Sequence, residues 1–204
     1  SSIHLLYLTL EERDLLVETG AFLPRLNLQF HYTRQDETRF DDLLARFRSS
    51  ARKKVRRERR VVAETNLRIE TKAADALTES DWEALYGFYR DTCMRKGSEP
   101  YLTHAFFEQG ASLSRAVGVL AYDGDRPVAG SLSFEKGAHL YGRYWGCHQD
   151  HEMLHFELCY YRLLERAIEA GQTRFEAGAQ GHHELQRGLL PVGVHSVHHV
   201  RDPR

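Results

Sequence analysis

Glu176 closes a short alternating run, residues 174–177, and leads straight into Gly178-Ala179-Gln180-Gly181. A carboxylate at a strand end can act as a general acid or base, and a turn with little side chain exposes backbone amides to a substrate oxygen. Gln180 adds an amide side chain to those donors. Upstream, His155 and Glu157 fall on the first turn of a helical stretch, where the helix dipole alone would also stabilise the carboxylate. Tyr161 follows Glu157 at i, i+4, the spacing of a proton-relay pair on one helix face. Arg143 and Tyr144 are neighbours in an alternating run, so they point to opposite strand faces and one of them is expected at the site. An arginine there would hold a carboxylate or phosphate through two parallel hydrogen bonds.

The elements that must position these residues follow from periodicity. Residues 140–145 alternate as a half-buried strand, and 155–170 carry a helical apolar face (Phe156, Cys159, Tyr160, Leu163, Leu164, Ala167, Ile168) ended by Gly171. Two further strands, 117–122 and 127–134, precede them across the turns Asp123-Gly124-Asp125 and Lys136-Gly137, which predicts an antiparallel meander. A helix between the last two strands requires a parallel crossover. The switch in pairing leaves a gap between 140–145 and 174–177, and Glu176 faces it if Phe175 faces the core. Earlier in the chain, strands are predicted at 3–9, 26–33 and 67–71, with helices at 11–19, from Asp41 or Asp42, from Ser80 or Asp81, and from Thr103. In the second strand Leu26, Leu28, Phe30 and Tyr32 share one face, and Asn27, Gln29 and His31 the other.

The chain has 204 residues and a formal net charge of −1, which suits an ordinary globular protein and gives no overall attraction to nucleic acid or membrane. No apolar run reaches the ~20 residues of a membrane span. Three cysteines without CxxC spacing argue for a reducing, cytoplasmic setting, and the termini read as those of a fragment or processed protein. One local charge stands out. Residues 48–60, RSSARKKVRRERR, carry eight basic side chains against Glu58, apparently continuing the preceding helix. Repulsion at i, i+4 is relieved by a polyanion, so Arg52, Lys53, Arg56 and Arg57 are candidates for phosphate or nucleic-acid contact. Eight of twelve histidines lie between His148 and His199, yet no metal-ligand spacing occurs and no metal site is expected. No GxSxG is present, and the cysteines lack a base partner.

The segments LYGRYWG, LHFELCYY, FEAGAQG and the following RG-LLP, with SSARKKVRRERR and YLTHAFFEQ, resemble a family of bacterial predicted N-acyltransferases of the peptidoglycan biosynthesis or recognition type. That family is similar to the Fem-type aminoacyltransferases, which have two tandem GNAT-like halves. The resemblance implies an α/β fold, an α+β mixed sheet of the GNAT acyltransferase type. It divides the chain into residues 1–60, the remainder of a first half with a basic connecting helix, and 61–204, a second acyltransferase domain. It implies acyl or aminoacyl transfer to an amine, possible acceptors including a cell-wall precursor. Glu176 would serve as base, with Glu157, Tyr161 and His155 lining the gap, and Arg143, Tyr144, Gly178, Gln180, Gly181 and Arg187 binding substrate.

The donor expected is an aminoacyl-tRNA or an acyl-CoA. Acetyl-CoA-dependent relatives carry a glycine-rich loop before the crossover helix, whereas this chain reads CHQDHEMLHF there, which favours the tRNA donor. The basic helix would suit tRNA or a nucleotide-sugar precursor. Two other readings compete: an acetyl-CoA-dependent N-acetyltransferase of a small amine or protein lysine, and a non-catalytic nucleic-acid-binding protein on a transferase fold.

Overall fold

Two threonine-led caps set the first boundaries in this computed structural model, which describes residues 1–178 and 185–201. After strand β1 (Ser2–Leu8), the Glu12 N–H donates to Thr9 Oγ1 at 3.2 Å and the Thr9 N–H to Glu12 Oε2 at 2.8 Å, which starts α1 (Leu10–Glu18). Thr78 and Asp81 repeat the arrangement at the start of α4 (Glu79–Arg95). Between them lie β2 (Leu23–Thr33), α2 (Phe40–Arg46), α3 (Ser49–Ala63) and β3 (Arg68–Ala73). The short α5 (His104–Glu108) leads into the predicted meander, β4 (Ala116–Asp123), β5 (Arg126–Lys136) and β6 (His139–Cys147). The crossover comprises α6 (Leu154–Phe156), a π-helical turn over Glu157–Tyr161, and α7 (Arg162–Glu169), followed by β7 (Arg174–Glu176) and β8 (Leu190–Val200).

All eight strands form one mixed sheet in the order β1-β8-β2-β7-β6-β5-β4-β3. Only β6 and β7 pair in parallel, as the crossover requires. Strands from 1–60 join the same sheet as the later ones, β1 beside β8 and β2 between β8 and β7. Apolar side chains alternate across the sheet into two cores. Leu140, Phe175, Val117 and Val119 pack under α2, α3 and α7, whereas Leu120, Leu132 and Tyr122 pack under α4 and α5. Gly146 lets α4 lie directly on β6, because a Cβ there would sit 2.1 Å from the Phe88 carbonyl oxygen.

Three elements differ from expectation. The basic helix is separate from α2: Phe47 and Arg48 are extended, and the Phe47 ring lies on Gly188, where a Cβ would approach it to 2.6 Å. Burying that aromatic ring breaks the helix. Residues 190–200 form a full strand inserted between β1 and β2, although Pro191, Gly193 and three histidines disguise its alternation. On β2 the apolar face is buried only at Phe30 and Tyr32; Leu26 and Leu28 are exposed. Among the described residues no helix is long and apolar enough to cross a membrane.

Candidate active site

Strands β6 and β7 pair at only three positions, His139 with Arg174, Leu140 with Phe175 and Tyr141 with Glu176. Beyond them β7 leans toward β2, the Ala177 N–H donating to the Phe30 carbonyl at 3.1 Å and the Phe30 N–H to the Gly178 carbonyl at 2.9 Å. A cavity of about 410 Å³ opens in the resulting splay. Phe175 is fully buried in the core, so strand alternation turns Glu176 into that cavity. The predicted gap and the predicted orientation of its carboxylate are therefore both present.

Across the sheet, His31, Glu176 and Tyr141 stand in one row on β2, β7 and β6. His31 Nε2 lies 3.8 Å from Glu176 Oε2, and Arg174 Nη1 lies 3.7 Å from Glu176 Oε1. Burial and the Glu176 charge both push the Tyr141 phenol up, with Arg174 opposing. His31 is held below the ordinary histidine value by burial, against the pull of Glu176.

Arg143 and Tyr144 both line the cavity, where only one was expected. The register explains it: Gly142 faces Ser133 and Tyr144 faces Leu132, so Arg143 is the extra residue of a β-bulge. The bulge re-aims the guanidinium over the Tyr144 ring, 5.8 Å from its centroid. Tyr144 in turn shares a 2.7 Å hydrogen bond with the Tyr101 hydroxyl, and burial with that contact pushes its phenol up to about 12. Tyr7, strained at φ 61 in a bulge of β1, also reaches the cavity. His155 lines the same space, its ring centroid 5.1 Å from that of Trp145, and Gly178 forms part of the rim with φ +99. Gln180 and Gly181 lie outside the described residues.

Glu157, Tyr161 and Arg187 are placed elsewhere. The π turn hydrogen-bonds the Arg162 N–H to the Glu157 carbonyl, which widens the helix and replaces the expected i, i+4 face. Glu157 consequently points toward α3, where Arg59 donates to both its oxygens at 3.0 and 3.1 Å and Arg162 adds a contact at 2.9 Å. Burial opposes the Arg59 charge, and hydrogen bonds to Glu165 and Glu157 outweigh it. Tyr161 donates to Glu58, and Arg187 donates to both: to Tyr161 Oη at 3.0 Å and to Glu58 Oε2 at 2.7 Å. The Arg187 guanidinium also lies 3.6 Å from the Phe156 ring centroid. Residue types suited to catalysis thus form a buried charge network that fastens α3 to the crossover helix.

On α3, Lys53, Arg56 and Arg57 are exposed and Arg52 is half-buried. None of the four has a carboxylate partner among the described residues. Arg56 also borders a second cavity of about 460 Å³ with Arg59, Arg60 and Arg162, floored by Val62, Leu67 and Ile69. No cluster of three or more potential ligands could hold a metal among the described residues. Burial pushes the Cys147 and Cys159 thiols up, away from reactive thiolates.

Sequence reasoning passed over several cavity residues. Gln29 lines the cavity beside Gly178, as do Tyr89, Trp145, Tyr160 and the serines Ser131 and Ser133. The hydroxyl of Ser133 is buried without a hydrogen-bond partner among the described residues. The signal for Gln29 and His31 was their position on the polar face of an otherwise apolar strand.

No curated protein matches the sequence. Among solved structures, FemX superposes with a TM-score of 0.63 at 12% identity, covering 96% of this chain and 71% of that one. L-PGS from Bacillus licheniformis gives 0.64 at 9% identity, covering 94% and 66%. A GCN5-related N-acetyltransferase from Kribbella flavida gives 0.52 at 15% identity, covering 97% and 66%. The chain therefore spans about two thirds of the length of these structures, and at such identities the likeness concerns the fold, which is GNAT-like. The FemAB-like family model, described as peptidoglycan biosynthesis/recognition, matches residues 1–204. With that match across its whole length, the chain belongs to the FemAB-like family.

Proposed function

We propose that this chain is a transferase unit that moves an activated aminoacyl or acyl group onto an amine of a cell-wall precursor. The observation that carries the reading is the Glu176 carboxylate, fixed at the end of β7 and facing a cavity in the splay between β6 and β7. Family membership supplies the cell-wall context.

In this reading Glu176 removes the ammonium proton of the acceptor. The freed amine attacks the donor carbonyl, a C–N bond forms, and the tetrahedral oxyanion collapses with cleavage of the ester or thioester bond. The proton held on Glu176 passes to the departing oxygen or sulfur, and the attacking nitrogen releases its second proton to solvent as the amide forms. Arg143 holds an acidic group of the acceptor, and His155 with Trp145 forms an aromatic wall beside it. The donor we favour is an aminoacyl-tRNA, because α3 presents cations with no carboxylate partner among the described residues and the connection from β6 to α6 has no glycine after Gly146.

The test is transfer itself, followed by mass spectrometry of the acceptor. The protein is incubated with a charged tRNA pool or with acetyl-CoA, and with a nucleotide-linked peptide bearing a free amine. Donor-dependent acylation that is lost in Glu176→Gln supports the reading. Full activity in Glu176→Gln, or no transfer from any donor, overturns it; transfer only from acetyl-CoA overturns the choice of donor.

A further inference from the structure

Beside Glu176 sits a pair of side chains that the reaction above leaves unused. His31 is 4% exposed and does not itself reach the cavity, whereas Gln29, two residues earlier on the same face of β2, does. Gln29 Oε1 lies 3.2 Å from His31 Nε2. The same ring nitrogen faces Glu176 Oε2 at 3.8 Å. The other, Nδ1, is buried with no partner among the described residues.

These contacts select one protonation state. A buried N–H without an acceptor costs more than a bare ring nitrogen, so the proton belongs on Nε2, between two oxygens, and Nδ1 is left bare. The surrounding groups agree. Glu176 on β7 attracts a positive ring, but burial, Arg174 on β7 and His139 on β6 all disfavour it. Leu190, the partner of His31 on β8, and Tyr141, the partner of Glu176 on β6, carry no charge at neutral pH. With its oxygen engaged by His31, the Gln29 amide keeps its two N–H groups for other acceptors, and the residue borders the cavity.

We propose that Gln29 is a catalytic residue that hydrogen-bonds the donor carbonyl oxygen as it becomes an oxyanion, and that His31 is the positioning residue that fixes the Gln29 amide and Glu176 for this step. The assignment rests on the transferase reading and adds to it the electrophilic half of the site. Base and oxyanion donor come from adjacent strands, in neighbouring side-chain rows on one face of the sheet. Gly178, the first residue of the turn expected to supply such donors, accepts from the N–H of Phe30, the residue after Gln29.

Two measurements test it. In a histidine-ring nitrogen NMR titration of the full chain, His31 should show the neutral Nε2–H form and titrate below 6.5, the ordinary value. Glu176→Gln should move that titration lower still, and Gln29→Leu should shift the Nε2 resonance; an Nδ1–H ring, or a ring indifferent to both changes, overturns the arrangement. In the transfer assay with charged tRNA or acetyl-CoA, Gln29→Leu and His31→Phe should each lower kcat by about 10²–10³-fold with KM little changed. His31→Gln, which keeps a donor, should recover part of the loss. Fully active Gln29→Leu alongside inactive Glu176→Gln overturns the oxyanion role and leaves the transferase reading standing. Absence of transfer by the unmodified protein removes both.

Discussion

Arg187 donates to Glu58 at 2.7 Å with both side chains about 1% exposed, so the one acid of the basic segment is its anchor to the core. Removing either partner takes a charged hydrogen bond from a group that water cannot reach. Glu58→Leu or Arg187→Met should each cost about 3–5 kcal/mol, whereas the double substitution should recover most of that loss. Urea unfolding of the three variants measures it, and equal, additive losses would contradict the pairing.

Asp81 gives the fold an acid-sensitive cap. It accepts from Tyr122 at 2.7 Å, Lys72 at 2.9 Å and the Thr78 N–H at 3.0 Å. Burial works against its charge, but these hydrogen bonds outweigh it and hold the carboxyl below its ordinary value of 3.8. A depressed value means stability that is complete above 3.8 and lost as pH falls through the lower, folded-state value. Asp81→Asn should cost about 1–3 kcal/mol at neutral pH and flatten the acid limb of the stability curve. Denaturation across that range checks both effects.

Arg143 projects from a bulge into open cavity rather than into the core. Arg143→Leu should change unfolding free energy by no more than about 0.5 kcal/mol. In the transfer assay the same variant should raise KM by about tenfold or more, the loss expected for a charge-assisted hydrogen bond. Lysine should restore only part of the affinity, since it cannot make the paired contact. A KM unaffected by either substitution would remove Arg143 from substrate binding.

The outer face of α3 should be dispensable for folding. Changing Arg52, Lys53, Arg56 and Arg57 together to Gln relieves like-charge repulsion and should leave stability unchanged or raised by a few tenths of a kcal/mol. If RNA binds there, the slope of log affinity against log salt should fall by about 3. Filter binding at several salt concentrations measures that slope, and an unchanged value would place the RNA elsewhere.

How far residues alone could specify this structure depended on the range of the interaction. The β4–β6 meander, the crossover and the orientation of Glu176 all follow from local alternation and turns. Arg143 and Tyr144 could not both be placed, because a bulge adds one residue and Gly142 before it does not by itself distinguish a bulge from a regular strand. Glu157 was read from ideal helix spacing, and the π turn rotated it toward Arg59. Arg187 has the composition of a ligand-binding residue; only its partner Glu58, far away in sequence, makes it structural. His31 and Gln29 were visible as a polar strand face, but their meeting with Glu176 required the pairing of β2 with β7.

The insertion of β8 between β1 and β2 also orders events in time. During synthesis β1 and β2 are made before β8, yet they pair not with each other but with that later strand. Until it arrives, β1 has no ladder partner among the described residues and β2 presents an open edge with exposed Leu26 and Leu28. Closing such a long loop is slow, and an uncovered apolar edge is a template for association with other chains. Before β8 pairs, that edge depends on being shielded, and the histidine-rich strand covers it on sliding between β1 and β2.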